Sequence, residues 1–442
     1  MVDCLVIGSG LVAHELSELW SDADGDLLIA DMSGLAQTKV VSEGAVVFDE
    51  KLISATAKVG GGSSVWGGKV TIPTEENWFA PRSKNIESSS WLEFGDFVSK
   101  SITGNLETEF LRQVNRGLSH FSIDRQSLFK KSGMSPDRHV FLPDKKRYDS
   151  KVANFGMRSS RVSAIIEFDV QKSGGNLVFE DQTGAIRDVN FRKLVLASGP
   201  IGNAMILSML TAPNLFPIGN HAHGIVGRVR LDRVMKFGQD AYLHHGKSFF
   251  SGSSLINERG RGDHSVRLVP DSSRANSLAS LQFGSEAFLK DLLHLIYLRA
   301  GFTNSFEIFA MAELEPSGEL KISASQKGGK VDSMSLTLRP KVNSTEIFEE
   351  LKILAQRLNS LPHVIKLSLK EPKELQDSAH YFGTIPMRDE PQGNEVSSFF
   401  KLEGLNNTWS LGASGFPAGS HGHPTLLSVL TAHRAIDSIR AA

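Results

Sequence analysis

Three observations predict an α/β fold, α+β overall. Short apolar runs alternate with helix-period stripes at both ends of the chain. A glycine-rich turn joins the first run to its helix. The middle of the chain is strand-rich, with turn signals between runs. This pattern describes a Rossmann-type domain, discontinuous in sequence, plus a second domain built on a mostly antiparallel sheet. A chain of 442 residues exceeds what one core serves, so two interlocked domains are expected. The expected division gives 1–80, 151–225 and 376–442 to the first domain. Residues 81–150 and 226–375 go to a substrate-binding or lid domain.

The elements follow in order. Asp3–Ile7 (DCLVI) reads as a strand, followed by Gly8-Ser9-Gly10-Leu11-Val12-Ala13 and a helical HELSELW. This is G-x-G-x-x-A between strand and helix. Gly8 permits the tight turn, Gly10 lets the backbone approach a pyrophosphate, and Ala13 keeps the helix close to the sheet. The helix start adds N–H groups and positive potential for phosphates. A second strand, Leu27–Ala30, ends at Asp31, where a ribose-binding carboxylate belongs. These features point to an adenine dinucleotide without separating NAD from FAD. Gly60–Gly68 (GGGSSVWGG) is too costly in backbone entropy to be filler. Its N–H and hydroxyl groups suit a diphosphate or the edge of a flavin ring.

Residues 81–150 read as polar and irregular, a possible lid over the cofactor. Beyond Arg158, Ser160–Val170 and Asn176–Val189 read as paired strands with a turn at Thr183-Gly184. A buried strand at Leu194–Ala197, a turn at Gly199-Pro200 and a helix come next. The return strand ending in A-x-G is where the chain rejoins the dinucleotide. Strands from Val226 to about Leu369, with a helix near Glu346–Leu358, read as a separate sheet. Near the end stand a strand at Thr408–Leu411, a Gly/Ser loop, and a helix that starts at His423-Pro424. Pro suits a first helical position, and Leu426, Val429, Leu430, Ile436 and Ile439 form its apolar stripe.

Bulk chemistry narrows the partners. A net charge of -1 argues against nucleic acid and against an anionic membrane surface. One cysteine, Cys4, rules out an internal disulfide and a cysteine-rich metal site, and no metal is expected. No stretch of about 18 apolar residues and no signal-peptide pattern is read, so the expectation is a soluble, cytoplasmic protein.

The motifs together carry a resemblance. GSGLVA with Asp31, GGGSSVWGG, LVLASGPIGNAMIL, HYFGTIPM (His380–Met387) and GFPAGSHGHPTLLSVLTAHRAIDSI stand in the order found in glucose–methanol–choline (GMC) flavoprotein oxidoreductases. The C-terminal loops are nearest to the pyranose oxidase-like subgroup. The resemblance implies FAD as cofactor, held by Gly8, Gly10, Ala13, Asp31, Gly61, Gly62, Ser63, Ser64, Trp66, Gly67, Val162, Ala197, Gly199, Gly412, Ala413, Pro424 and Thr425. The position that carries a covalent flavin link in some members is Val65, so non-covalent FAD is implied. Gly412-Ala413-Ser414 replaces the D-x-S of many members, which puts backbone beside the cofactor there. The chain is short for the family, implying a trimmed substrate domain.

The same resemblance assigns His380 as the base that takes a hydroxyl proton while hydride passes to flavin N5, with His423 as its partner. Neutral imidazole can accept a proton near pH 7, and a second side chain can stabilise developing alkoxide character. His421 and His433 gain little from this argument, and His221 and His223 read as structural. The implied substrate is a small-molecule alcohol, sugar- or polyol-like, with the electron acceptor unidentified. The alternative is a non-redox lyase or isomerase-like enzyme holding FAD structurally.

Overall fold

The computed structural model describes residues 1–32, 36–42, 46–47, 69–72, 88–103, 108–119, 138–141, 159–211, 213–232, 241–244, 247–250, 255–256, 264–270, 304–327, 330–339, 344–360, 364–370, 375–378, 380–417 and 424–442. The N-terminal strands are β1 (Val2–Ile7), β2 (Leu27–Asp31), β3 (Ala36–Ser42), β4 (Val46–Val47), β5 (Lys69–Ile72) and β6 (Arg138–Phe141). The middle supplies β7 (Ser159–Gln171), β8 (Gly174–Asp181), β9 (Ile186–Leu196) and β10 (Leu215–Leu231). After these come β11 (Ala241–His244), β12 (Lys247–Phe250), β13 (Leu255–Ile256), β14 (His264–Pro270), β15 (Ser305–Lys327) and β16 (Lys330–Arg339). The last strands are β17 (Val364–Leu369), β18 (Leu375–Asp377) and β19 (Thr408–Ser410). The α-helices are α1 (Leu11–Leu19), α2 (Ser89–Thr103), α3 (Glu109–Ser119), α4 (Gly199–Thr211), α5 (Ser344–Gln356) and α6 (Thr425–Ala441).

The order β19-β9-β1-β2-β7 runs parallel at every step. Cys4–Ile7 of β1 are wholly buried, as a central strand covered on both faces must be. Burial pushes the Cys4 thiol up to about 12, so it behaves as a small core residue. α1 and α6 lie beside each other, and the stripe Leu426, Val429, Leu430, Ile436 and Ile439 is buried. β9 has two partners in succession. Its first half pairs antiparallel with β8, and its second half lies between β1 and β19.

The antiparallel strands β10, β15 and β16 build the other half, extended by β14, β17 and β18. α5 covers it with Phe348, Leu351, Leu354 and Ala355 against Val226, Val266, Ile308 and Ala310. The sequence predicts a separate sheet here, but the halves join through the pair Val331↔Ile165. The cause is the length of β7. It pairs with β2 over only three residues and offers its remaining edge to β8 and β16. β10 runs without a break across the boundary expected at 225/226.

The irregular stretch expected over 81–150 contains two helices. α2 buries Trp91, Phe94 and Val98, and Phe94 meets Phe400 edge-on at 5.1 Å between ring centres. Its first turn is capped from far away. Asp389 accepts the Ser89 and Ser90 N–H groups at 3.0 and 2.8 Å and the Ser88 hydroxyl at 2.7 Å. Those donors, with Ser90 N–H foremost, hold the Asp389 carboxyl well below the usual carboxylate range. Among the described residues no helix is long and apolar enough to cross a membrane.

Candidate functional site

The carboxyl ends of β2, β1 and β9 are tied together around Gly8. Gly8 N–H donates to the Ala30 carbonyl at 2.8 Å, while Ala197 N–H and the Ser198 hydroxyl both donate to the Ile7 carbonyl at 2.8 Å. Gly8 has φ +110°, and a Cβ on it would lie 2.7 Å from the Ala197 and Ser198 backbone. Glycine is therefore required twice, for its backbone angle and for close strand approach. Gly10 is extended and caps α1, its carbonyl accepting the His14 N–H at 3.0 Å. Ala13 is fully buried, which brings α1 down on the sheet. The first-turn N–H groups of α1 lack partners within the helix and carry its positive potential.

Asp31 ends β2 and is buried beside this turn. It pairs in register with Arg161 of β7, and the next residue, Val162, is wholly buried. On the other flank, Ala197 follows the end of β9 and Gly199 opens α4 with φ +76°. Nothing lies within 4 Å of a Cβ at Gly199, so its backbone angle alone calls for glycine.

Asn203 of α4 joins these strands to the C-terminal loop. Its side-chain oxygen accepts Ser198 N–H at 2.8 Å. Its amide nitrogen reaches the carbonyls of Leu196 and Leu411 and the hydroxyls of Ser410 and Ser414, all within 3.0–3.2 Å. The loop so held includes Gly412, with φ +88°, whose Cβ position faces Val12 of the first turn. Gly412 N–H donates to the Thr431 hydroxyl of α6 at 2.8 Å. The next carbonyls receive the histidine segment: Gly383, Ile385 and Met387 donate to Ala413, Ser414 and Gly415 at 3.0, 2.9 and 3.0 Å. The Thr384 hydroxyl donates to the Pro200 carbonyl at 2.9 Å.

The structure thus brings together Gly8, Gly10, Ala13, Asp31, Val162, Ala197, Gly199, Gly412 and Ala413 at one end of the parallel strands. His380 lies on a segment zipped to the same loop. Pro424 sits at the cap of α6, one position earlier than a first helical residue, and Thr425 opens the helix. His433 of α6 is part-buried and meets Glu15 of α1 at 2.7 Å. The expected ligands Gly61, Gly62, Ser63, Ser64, Trp66 and Gly67 lie outside the described residues, as do His421 and His423.

One neighbour of His380 was not anticipated. His221, read as structural, is wholly buried with its ring centre 5.4 Å from that of His380, the planes at 76°. The side-chain oxygen of Asn220 accepts both the His221 and His380 N–H groups, at 2.7 and 3.1 Å. The readable signal was GNHAHG itself, a polar triplet inside a strand that otherwise alternates toward a core. His223 is separate from this contact. It bonds Ser378 at 2.9 Å and stacks on Phe309.

An adenine dinucleotide fits the residues present. A helix start beside a glycine turn can take a pyrophosphate, a buried carboxylate at the end of the next strand can take a ribose, and both lie at strand carboxyl ends. No protein-family model and no curated protein sequence matches the chain. Solved structures do. A pyridoxine 4-oxidase from Mesorbium loti is similar at 13% identity over 99% of both chains, with a TM-score of 0.48. A fungal aryl-alcohol oxidase is similar at 12% identity, covering 100% of this chain and 99% of that one, with a TM-score of 0.53. The second likeness shows a shared fold along the whole chain.

Proposed function

We propose that this chain is a GMC-type flavoprotein oxidoreductase that binds FAD non-covalently and oxidises an alcohol, sugar- or polyol-like, to a carbonyl. One observation carries the reading. The His380 segment is hydrogen-bonded to the Ala413–Gly415 loop, and that loop packs on Val12 of the glycine turn, so motifs from both ends of the chain share one place. The fold it shares with an aryl-alcohol oxidase supports the same class.

In this reading α1 and Asp31 hold the dinucleotide, and the Gly412-Ala413 backbone flanks it. FAD, when bound, supplies the hydride acceptor. His380 takes the hydroxyl proton, since neutral imidazole is a competent base near pH 7. Its Nδ1 is a buried atom, and Nε2 is the nitrogen assigned to the substrate. His423, from its place before α6, orients the hydroxyl and stabilises developing alkoxide charge, aided by the positive potential at the helix start.

The test is anaerobic mixing of FAD-loaded protein with a panel of sugars, polyols and aryl alcohols. The expected result is bleaching of the oxidised-flavin absorbance by at least one of them. His380→Ala should keep FAD and slow bleaching by about 10²-fold or more. Unchanged bleaching in that variant defeats the assignment of the base, and no bleaching across the panel defeats the redox reading.

A further inference from the structure

The segment after β18 runs antiparallel to β10, and the pairing breaks at His380. Ala222 pairs with Asp377 and Gly219 with Phe382, so three steps along β10 face five along the opposite segment. The register thus slips by two positions between these pairs, a change that re-aims a side chain as a bulge does. Backbone bonds close the slipped stretch at both ends. Ser378 N–H donates to the His221 carbonyl at 3.0 Å, and Gly219 and Phe382 exchange bonds of 2.9 and 3.1 Å. Within it, the Asn220 side-chain oxygen holds the His380 N–H, along with that of His221.

Asn220 is a poor strand residue and is buried, which costs stability unless its polar atoms are used. Its oxygen is used on the two N–H groups that fix the slipped histidine stretch. The His221 ring packs edge-on to His380 and also touches Phe382, at 5.8 Å between centres. We propose that Asn220 and His221 of β10 are the positioning residues for His380, the amide fixing its backbone and the ring fixing its imidazole.

This inference rests on the reading of His380 as base, and the experiment separates the two. The first arm needs no substrate. Full-length, FAD-loaded protein is labelled with ring-15N histidine, and the His380 signal is identified by its loss in His380→Gln. In His221→Ala, which removes the packing ring, the His380 ring signals should move and broaden, and His221→Phe, which keeps a ring of similar size, should largely restore them. An unperturbed signal in His221→Ala overturns the role of His221. In Asn220→Ala the His380 ring signals should move and broaden, and Asn220→Asp, which still accepts both N–H groups, should restore them. An unperturbed signal in Asn220→Ala overturns the role of Asn220.

The second arm follows anaerobic flavin reduction by D-glucose and by benzyl alcohol. Asn220→Ala should lower the limiting rate about tenfold or more, with the apparent substrate dissociation constant within about threefold, and Asn220→Asp should recover most of the rate. A rate loss that Asp does not recover counts against positioning. If His380→Ala still reduces normally, the base assignment fails, and the labelled-histidine arm still decides the positioning.

Discussion

Replacing Asn203 by Ala tests how the strand ends are held to the C-terminal loop. The side chain is wholly buried, and its amide nitrogen has four acceptors within 3.0–3.2 Å but only two hydrogens to share. With the bond accepted from Ser198, the count is two donated and one accepted. At about 1 kcal/mol net each, the loss is about 3 kcal/mol. A chain of this length has an unfolding entropy of about 0.9 kcal/mol per degree, so the melting temperature should fall by about 3 °C. The assay is thermal unfolding of the FAD-free protein, read by circular dichroism. Asn203→Asp should be at least as damaging near pH 8, because a carboxylate would face the Leu196 and Leu411 carbonyls. A melting temperature within about 1 °C of wild type for Asn203→Ala refutes the hub role. So does an Asp variant that is clearly more stable than Ala.

Three further substitutions test the glycine turns and the cap. Gly8→Ala meets both a positive φ and a backbone contact, whereas Gly199→Ala meets only the angle. The first should cost about 3 kcal/mol and the second about 1, and equal losses in denaturant titration would show that close approach at Gly8 does not matter. Asp389→Ala should destabilise by about 1 kcal/mol at neutral pH, as expected for a lost helix cap. The folded carboxyl is depressed, so its contribution is present above the unfolded value of about 3.9 and fades as pH falls toward the folded one. Wild type and variant should therefore converge in acid. A gap that persists undiminished to pH 2 contradicts the cap.

The first strand, its glycine turn and the second strand were legible because the code for them is local. A buried apolar run, two glycines and an acidic residue all fall within 31 positions. The final helix was legible for the same reason, its stripe being a 3.6-residue period. α2 was not legible, because its cap comes from Asp389, 300 positions away, and its aromatic face finds Phe400 and Phe416 only in the fold. The partnership of His221 with His380 failed to show for the same reason. GNHAHG marks the position, but its contact with His380 forms only when β10 meets the segment beyond β18. The joining of the two halves was hidden because, among the described residues, it rests on one pair, Val331↔Ile165, too short to leave a pattern.

Glu15 and His433 touch across 418 positions, and Arg440 reaches back to Asp24. β19 completes the parallel strands only after more than 400 residues have passed. A ribosome therefore releases β1, its glycine turn and α1 long before their last strand and covering helix exist. During that interval the apolar faces of β9 and α1 stand open, and the contacts that close them are among the most distant in the chain. If the chain takes FAD as proposed, its capture should thus be a late, post-synthetic event, and chaperone demand should peak while the antiparallel half is being made.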